Sequence, residues 1–229
     1  MSAPGAYPRT PQAALEQLRA GNERFVQEAP DHPHSDFARR QLAATADQGD
    51  YAIATVLTCS DSRVPVEQIF DAGIMDLFVV RVAGNICGPS EAGSIEYGVA
   101  HVHTPILMVL GHTQCGAVAA TMQQADAPEP VAEGPIAPIL ARIMPALERA
   151  RGADGDDAPA EIGTRTVVEN IYQAFHDLFV QTPAVRAHVR SGDVMPVPAM
   201  YDLDTGRVHW LDTDNVMQVL ETAEKTTGG

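Results

Sequence analysis

Cys59, Asp61 and Arg63 occupy alternate positions in the stretch CSDSR, where a run of apolar residues gives out. Further along the chain, His112 and Cys115 form an H-x-x-C pair at the end of another apolar run. Thiolate and imidazole are the ligands zinc favours, and three protein ligands with one open position is the arrangement of a catalytic zinc. If the two runs are neighbouring parallel strands, one thiol meets the H-x-x-C pair at a single sheet edge. Asp61 and Arg63 share a face with Cys59 in an extended segment. A carboxylate there would tend to coordinate the ion, unless a bidentate grip from Arg63 holds it off and keeps it ionised. Each feature alone has a plainer reading: a buried Cys is a small hydrophobe, a His after a strand caps a turn, and an exposed Asp–Arg pair contributes little. Two strand ends furnished alike favour the metal. Cys87 has no such partner in sequence and reads as a packing residue.

Three short apolar runs would carry these groups: residues 51–57, 76–83 and 105–111. None has helical spacing and each is bounded by turn residues, which fits buried parallel strands. Helical patterns lie between them at 65–70 and 90–103. The spacing also predicts a first helix opened by Thr10 and Pro11, with Ala14, Leu15, Leu18 and Phe25 on one face. After a polar connector to about Ser35, DFARRQLAATADQG reads as a second helix. GAVAATMQQA, PIAPILARIMPALERA (kinked or broken near Pro145) and TRTVVENIYQAFHDLFVQ read as helices. Residues 153–161 read as an acidic loop and 196–211 as a hairpin arm. Alternating strands and helices imply one α/β domain over 1–229, with a central, mostly parallel β-sheet flanked by helices. Ligands in such sheets bind at the carboxyl ends of the strands.

The chain carries 15 basic against 30 acidic residues, a formal charge of −15. Nucleic acid and anionic membranes are poor partners for that balance, because phosphate contacts need Lys and Arg. Three cysteines do not make a disulfide framework and suit a reducing compartment. The N-terminus has no apolar signal core, and no stretch approaches the ~20 apolar residues of a membrane span. The expectation is a cytoplasmic protein.

CSDSRVP followed by GHTQCGAV resembles the β-class carbonic anhydrases, as do LFVVRVAGNI, GSIEYGVAHVHTPILMVLGH, ALEQLRAGNERFV and YDLDTGRVHWL. The resemblance implies one Zn2+ per subunit held by Cys59, His112 and Cys115, with Asp61 and Arg63 as the catalytic dyad. It implies reversible hydration of carbon dioxide to bicarbonate and a proton, by zinc-bound hydroxide that the dyad orients. It also implies an N-terminal helical arm, residues 1–35, wrapping a partner in a homodimer or a tetramer of two dimers. Phe78, Ala83, Tyr97 and Gly116 match the apolar pocket walls, and Gln48 is the nearest match for the glutamine that completes the pocket. Asp61 is a possible fourth ligand in a closed state. Some relatives have an inhibitory bicarbonate site that uses a Trp where this chain has Val56, so that site is expected to be absent or altered. Arg81 matches the Arg of that site but has a structural reading. Trp210 is no replacement, and His101 and His103 read as structural residues of a helix.

Rival readings are hydrolysis of carbonyl sulfide or carbon disulfide at the same centre, a zinc-stabilised binding protein without turnover, and a flavodoxin-like nucleotide binder. Asp61 and Arg63 argue against the second, since a structural zinc needs neither. The absence of a Gly-rich phosphate loop between strand and helix argues against the third.

Overall fold

The computed structural model describes residues 6–127, 134–152 and 158–228. Residues 1–5, 128–133, 153–157 of the expected acidic loop and 229 therefore lie outside the described residues. Among the described residues, five strands form one sheet in the order β2-β1-β3-β4-β5. They are β1 (Ala54–Cys59), β2 (Leu77–Val82), β3 (Ile106–His112), β4 (Met195–Tyr201) and β5 (Val208–Trp210). The first four run parallel, and β5 returns antiparallel on β4 as the expected hairpin arm.

Alternation along the central strands divides the core in two. Leu57, Leu107 and Val109 face one layer, where α4 (Pro89–Ala100), α5 (Gly116–Asp126), α6 (Ala137–Gly152), α7 (Pro159–Gln181), α8 (Pro183–Ser191) and α9 (Thr213–Thr227) cover the sheet. Ala54, Val56, Ile106, Met108 and Leu110 face the other, under α1 (Pro11–Val26) and α3 (Val66–Ile69). Both faces of β1 and β3 are buried, which is why their sequences read as continuous apolar runs instead of alternating ones.

α1 begins as expected: the Thr10 side chain accepts from the Ala13 amide, with Pro11 in the first turn. It docks on its own subunit's core through Ala14, Leu15 and Leu18. At Gly21 the backbones nearly touch: an added Cβ would lie 1.8 Å from the Phe70 carbonyl oxygen. One residue on, the buried Asn22 bonds the Ile69 and Gly206 carbonyls and accepts from the Val208 amide. The connector after α1 is held by two buried carboxylates. Asp71 takes Arg24 and the Asp31 and His32 amides, and Asp76 takes His34, Arg39 and the Gly73 amide.

Several elements differ from the expectations. The second helix is the short α2 (Phe37–Ala43), followed by a separate 3-10 turn at Gln48–Asp50. α6 runs through Pro145 unbroken. α7 starts at Pro159, inside the expected acidic loop, and α8 and α9 were not anticipated. Among the described residues no helix is long and apolar enough to cross a membrane.

Candidate metal centre

Cys59 is the last residue of β1 and His112 the last of β3, and these strands are parallel neighbours. Their carboxyl ends therefore open at the same edge. Cys115 joins them as the N-cap of α5, after a tight turn in which Gln114 has a left-handed φ of 55°. The ligand atoms of Cys59, His112 and Cys115 all lie within 4.8 Å of one another, and all three residues are buried.

The imidazole is fixed in one sense. Its Nδ1–H donates to the Thr113 carbonyl at 2.9 Å, which leaves the lone pair on Nε2. Nε2 is buried and has no hydrogen-bond partner. Such an orphan is costly unless something fills the space it faces. The two sulfurs facing it make that something a thiophilic cation. The thiols are prepared for it. A hydrogen bond from Cys115 holds the Cys59 thiol well below the usual range, against burial and with help from the Asp61 and Gly84 amides. Cys115 is pushed up in turn, by that shared hydrogen bond, by burial and by the charge on Cys59, while the Ala117 and Val118 amides of α5 pull the other way. The shared hydrogen bond favours ionisation at one sulfur over the other, and a cation's charge would favour it at both. All three cysteines are free, and burial pushes the Cys87 thiol up to about 12, as suits a packing residue.

Asp61 and Arg63 sit at the mouth. Arg63 grips the carboxylate with both arms, Nε to Oδ1 at 2.9 Å and Nη2 to Oδ2 at 2.7 Å, and the Arg63 amide adds a third bond to Oδ1 at 2.9 Å. The Arg63 hydrogen bond holds the Asp61 carboxyl far below the usual carboxylate range, burial notwithstanding. Asp61 Oδ2 lies 3.9 Å from His112 Nε2, beside the ligand set. Arg63 also donates to the Gln114 carbonyl at 3.2 Å, tying the turn after β1 to the turn that carries Cys115. Arg81, on β2, donates to the Cys59 carbonyl at 3.1 Å and the Asp61 carbonyl at 2.6 Å, so it braces the same turn from the neighbouring strand.

The expected pocket residues fall into two groups. Ala83 opens the 3-10 turn after β2, where the Gly84 amide donates to Cys59 Sγ at 3.3 Å. Gly116 follows Cys115 directly, and a Cβ there would meet nothing within 4 Å, so it fronts open space. Phe78, Tyr97 and Gln48 are elsewhere. Cys59 pairs with Val82 in the register, whereas Phe78 pairs with Thr55, four residues and about 13 Å back along the strand. Tyr97 stacks near Phe78, with centroids 6.1 Å apart, and is 51% exposed. Gln48 precedes β1 altogether, at the far end of the sheet. One chain does not bring these three to its own ligand set. Val56 is buried in the core, and Trp210 packs against Phe70 and under Arg19. His101 stacks near Tyr97, and the His103 carbonyl accepts from Arg9. A cavity of about 980 Å3 between α5 and α7 reaches the ligand set only at Cys115.

The groups not foreseen from sequence are backbone or remote: the Gln114 carbonyl, the Gly84 amide, and Asn170 of α7, which bonds the Gly84 carbonyl at 2.7 Å. The glycine in AGNI was the one available signal.

Comparisons with known proteins agree with this geometry. The family model described as carbonic anhydrase matches residues 54–208. A carbonic anhydrase of Mycolicibacterium smegmatis is 37% identical over 198 residues, covering 86% of this chain and 92% of that one. Carbonic anhydrase 2 of Mycobacterium tuberculosis is 35% identical, covering 86% and 91%. In fold, the chain is similar to the β-carbonic anhydrase CafA of Aspergillus fumigatus, with a TM-score of 0.69 at 22% identity over 94% of this chain and 97% of that one. The tetrameric β-carbonic anhydrases of Sordaria macrospora give 0.65 at 22% identity over 87% and 95%. The matched span begins with β1 and ends on the first residue of β5, so it contains all four parallel strands and every candidate ligand, and the chain belongs to the β-carbonic anhydrases, a family of lyases.

Proposed function

We propose that this protein hydrates carbon dioxide reversibly to bicarbonate and a proton, using one zinc ion per subunit held by Cys59, His112 and Cys115. The observation that carries the reading is the unpartnered, buried Nε2 of His112, set among two sulfurs and beside a clamped carboxylate. Zinc, when bound, supplies the Lewis acidity that lets water act as a nucleophile near neutral pH, lowering its pKa from about 15.7 toward roughly 7. Two thiolates make that centre electron-rich, so turnover is expected to rise toward alkaline pH.

Asp61 does the orienting. Held ionised by Arg63, it can only accept a hydrogen bond. It takes the hydrogen of the attacking oxygen and turns a lone pair toward the substrate carbon. Arg63 keeps both carboxylate oxygens engaged, so that Asp61 stays off the ion. Release of that grip would let Asp61 serve as a fourth ligand in a closed state, a reading favoured by the 3.9 Å between its Oδ2 and His112 Nε2.

Carbon dioxide is small and apolar, and Ala83 and Gly116 offer it no charge. Phe78, Tyr97 and Gln48 would wall the pocket from a second copy of the chain. The exposed Tyr97 and the half-buried apolar edge strand β2 support a homodimer, or a tetramer of dimers, that buries them. Residues 6–35 would contribute to that contact through the face of α1 turned away from its own core. Buried free thiols and a net charge of −15 support a cytoplasmic protein that binds neither nucleic acid nor membrane.

The test is stopped-flow hydration of carbon dioxide by protein of measured zinc content, before and after removal of the metal with dipicolinate. Activity that tracks zinc is expected. Protein with stoichiometric zinc that leaves carbon dioxide untouched, or that turns over carbonyl sulfide or carbon disulfide instead, would overturn the reading.

A further inference from the structure

We infer that Asn170 is a positioning residue for the metal centre: its side-chain amide holds Gly84 in the turn that aims the Gly84 N–H at the Cys59 sulfur. The inference rests on Cys59 being a metal ligand, as proposed above.

Asn170 lies in the middle of α7 and is 2% exposed. Val167 and Ala174, one turn to either side, and Ile171, next in sequence, are buried apolar residues of the core. An amide on that face is unfavourable unless it is hydrogen-bonded, and asparagine is a poor helix former. Its Nδ2 donates at 2.7 Å to the Gly84 carbonyl, 86 residues away. Gly84 has φ 72° and ψ 19°, the left-handed region that favours glycine. A Cβ there would also lie 2.8 Å from Ile143 Cδ1 and 2.9 Å from Ala117 Cβ. α5, α6 and α7 thus converge on one residue: two leave no room for a side chain on it and the third holds its carbonyl. The N–H belongs to the preceding peptide unit, so the link runs through Gly84's own φ and ψ: with the carbonyl held and those angles kept, the Gly84 N–H points at Cys59 Sγ, 3.3 Å away.

An N–H···S bond draws charge from a thiolate and weakens its donation to a metal, and outer-shell groups of this kind tune metal centres. Asn170 would act through two links, from α7 to Gly84 and from Gly84 to sulfur, without touching substrate or ion. A tie that merely fastens α7 to the turn would stabilise the fold and leave the sulfur's electronics alone.

The two roles separate in cobalt-substituted protein. Asn170→Leu removes the donor but suits its apolar surroundings, and Asn170→Asp keeps the shape while a carboxylate cannot donate to the Gly84 carbonyl. In both, the thiolate-to-cobalt charge-transfer band is expected to move to lower energy, and metal loss to a chelator to change by about 10- to 100-fold. A folded Leu or Asp variant with the parent's band and the parent's release rate would overturn the proposal. The parent provides an independent check: in its cadmium-113 form the Gly84 amide proton is expected to show coupling to the metal through the hydrogen bond. Absence of that coupling would overturn the proposal even if neither variant folds. A parent that takes up neither cobalt nor cadmium would instead defeat the metal reading, and this inference with it.

Discussion

Asp61 and Arg63 are where the proposed chemistry can be tested one side chain at a time. Asp61→Asn keeps the shape but presents a donor where an acceptor is needed, so zinc content should stay near one per chain while kcat falls by about 10²-fold or more. Near-normal hydration in a fully loaded variant would end the dyad's role. Arg63→Ala tests the clamp, and the sign of its effect follows from the carboxyl. Arg63 holds the Asp61 pKa below its ordinary value, so removing the guanidinium lets it rise toward about 3.9. Asp61 would still be ionised at neutral pH. The loss of turnover expected there must come from lost orientation, and it should persist unchanged from pH 7 to 9 in a stopped-flow profile. A variant that regains full activity at alkaline pH would show that only ionisation had been at stake. That Cys59, Asp61, Arg63, His112 and Cys115 come together was legible in the sequence, because the chemistry proposed for them resides in side chains. The groups that steer them were not: the Gln114 carbonyl and the Gly84 amide belong to the backbone, which every residue carries alike, and Asn170 comes from a helix far along the chain.

Elements were legible where one face or both faces are buried, and less so where polar residues interrupt. β1 was expected at 51–57 and lies at Ala54–Cys59, because Thr55 and Thr58 are buried polar residues satisfied inside the core and Tyr51 lies under Arg39 ahead of the sheet. Pro145 does not break α6, which two-sided packing on α5 and α7 holds in register. α8 and α9 carry their apolar residues on narrow stripes within polar sequence, and only the packed core reveals them. The seating of α1 was invisible, since it depends on a backbone approach. Gly21→Ala is therefore expected to cost about 3 kcal/mol in urea unfolding, since a Cβ has no room against the Phe70 carbonyl. An unchanged unfolding midpoint would mean α1 is not seated there. Asp71 offers the pH-dependent counterpart. Burial alone would raise its pKa, but the bonds from Arg24 and the Asp31 and His32 amides outweigh it and hold it low. A depressed folded value means the stabilisation is complete above the unfolded pKa, about 3.9, and is lost as pH falls through the folded value. Asp71→Asn should thus be less stable than the parent at pH 7, by about 2–4 kcal/mol, and the gap should close in acid. A gap that widens in acid would reverse the assignment.

At the scale of the whole molecule, one chain brings the three proposed ligands together but leaves the proposed pocket residues Phe78 and Tyr97 apart from them. Phe78 and Tyr97 form an aromatic pair where α4 packs against the edge strand, about 13 Å along β2 from the level of Cys59, and Tyr97 is half exposed. An apolar edge strand and an uncovered aromatic are features that a second copy would bury. If a twofold contact does so, Tyr97 of one subunit faces the zinc ligands of the other, and the two defects become separable. Tyr97→Ala should then retain zinc and lose turnover, as Asp61→Asn does, but for a reason located in the opposite subunit. Mixing the two inactive variants and allowing subunits to exchange produces heterodimers in which one site has both an intact dyad and an intact aromatic wall. About one site in four should recover in a random mixture, whereas each variant alone stays low. Sedimentation of the mixture must show the dimer for the result to count. A mixture no more active than the average of its components, with exchange demonstrated, would mean that Tyr97 serves its own chain or no site at all.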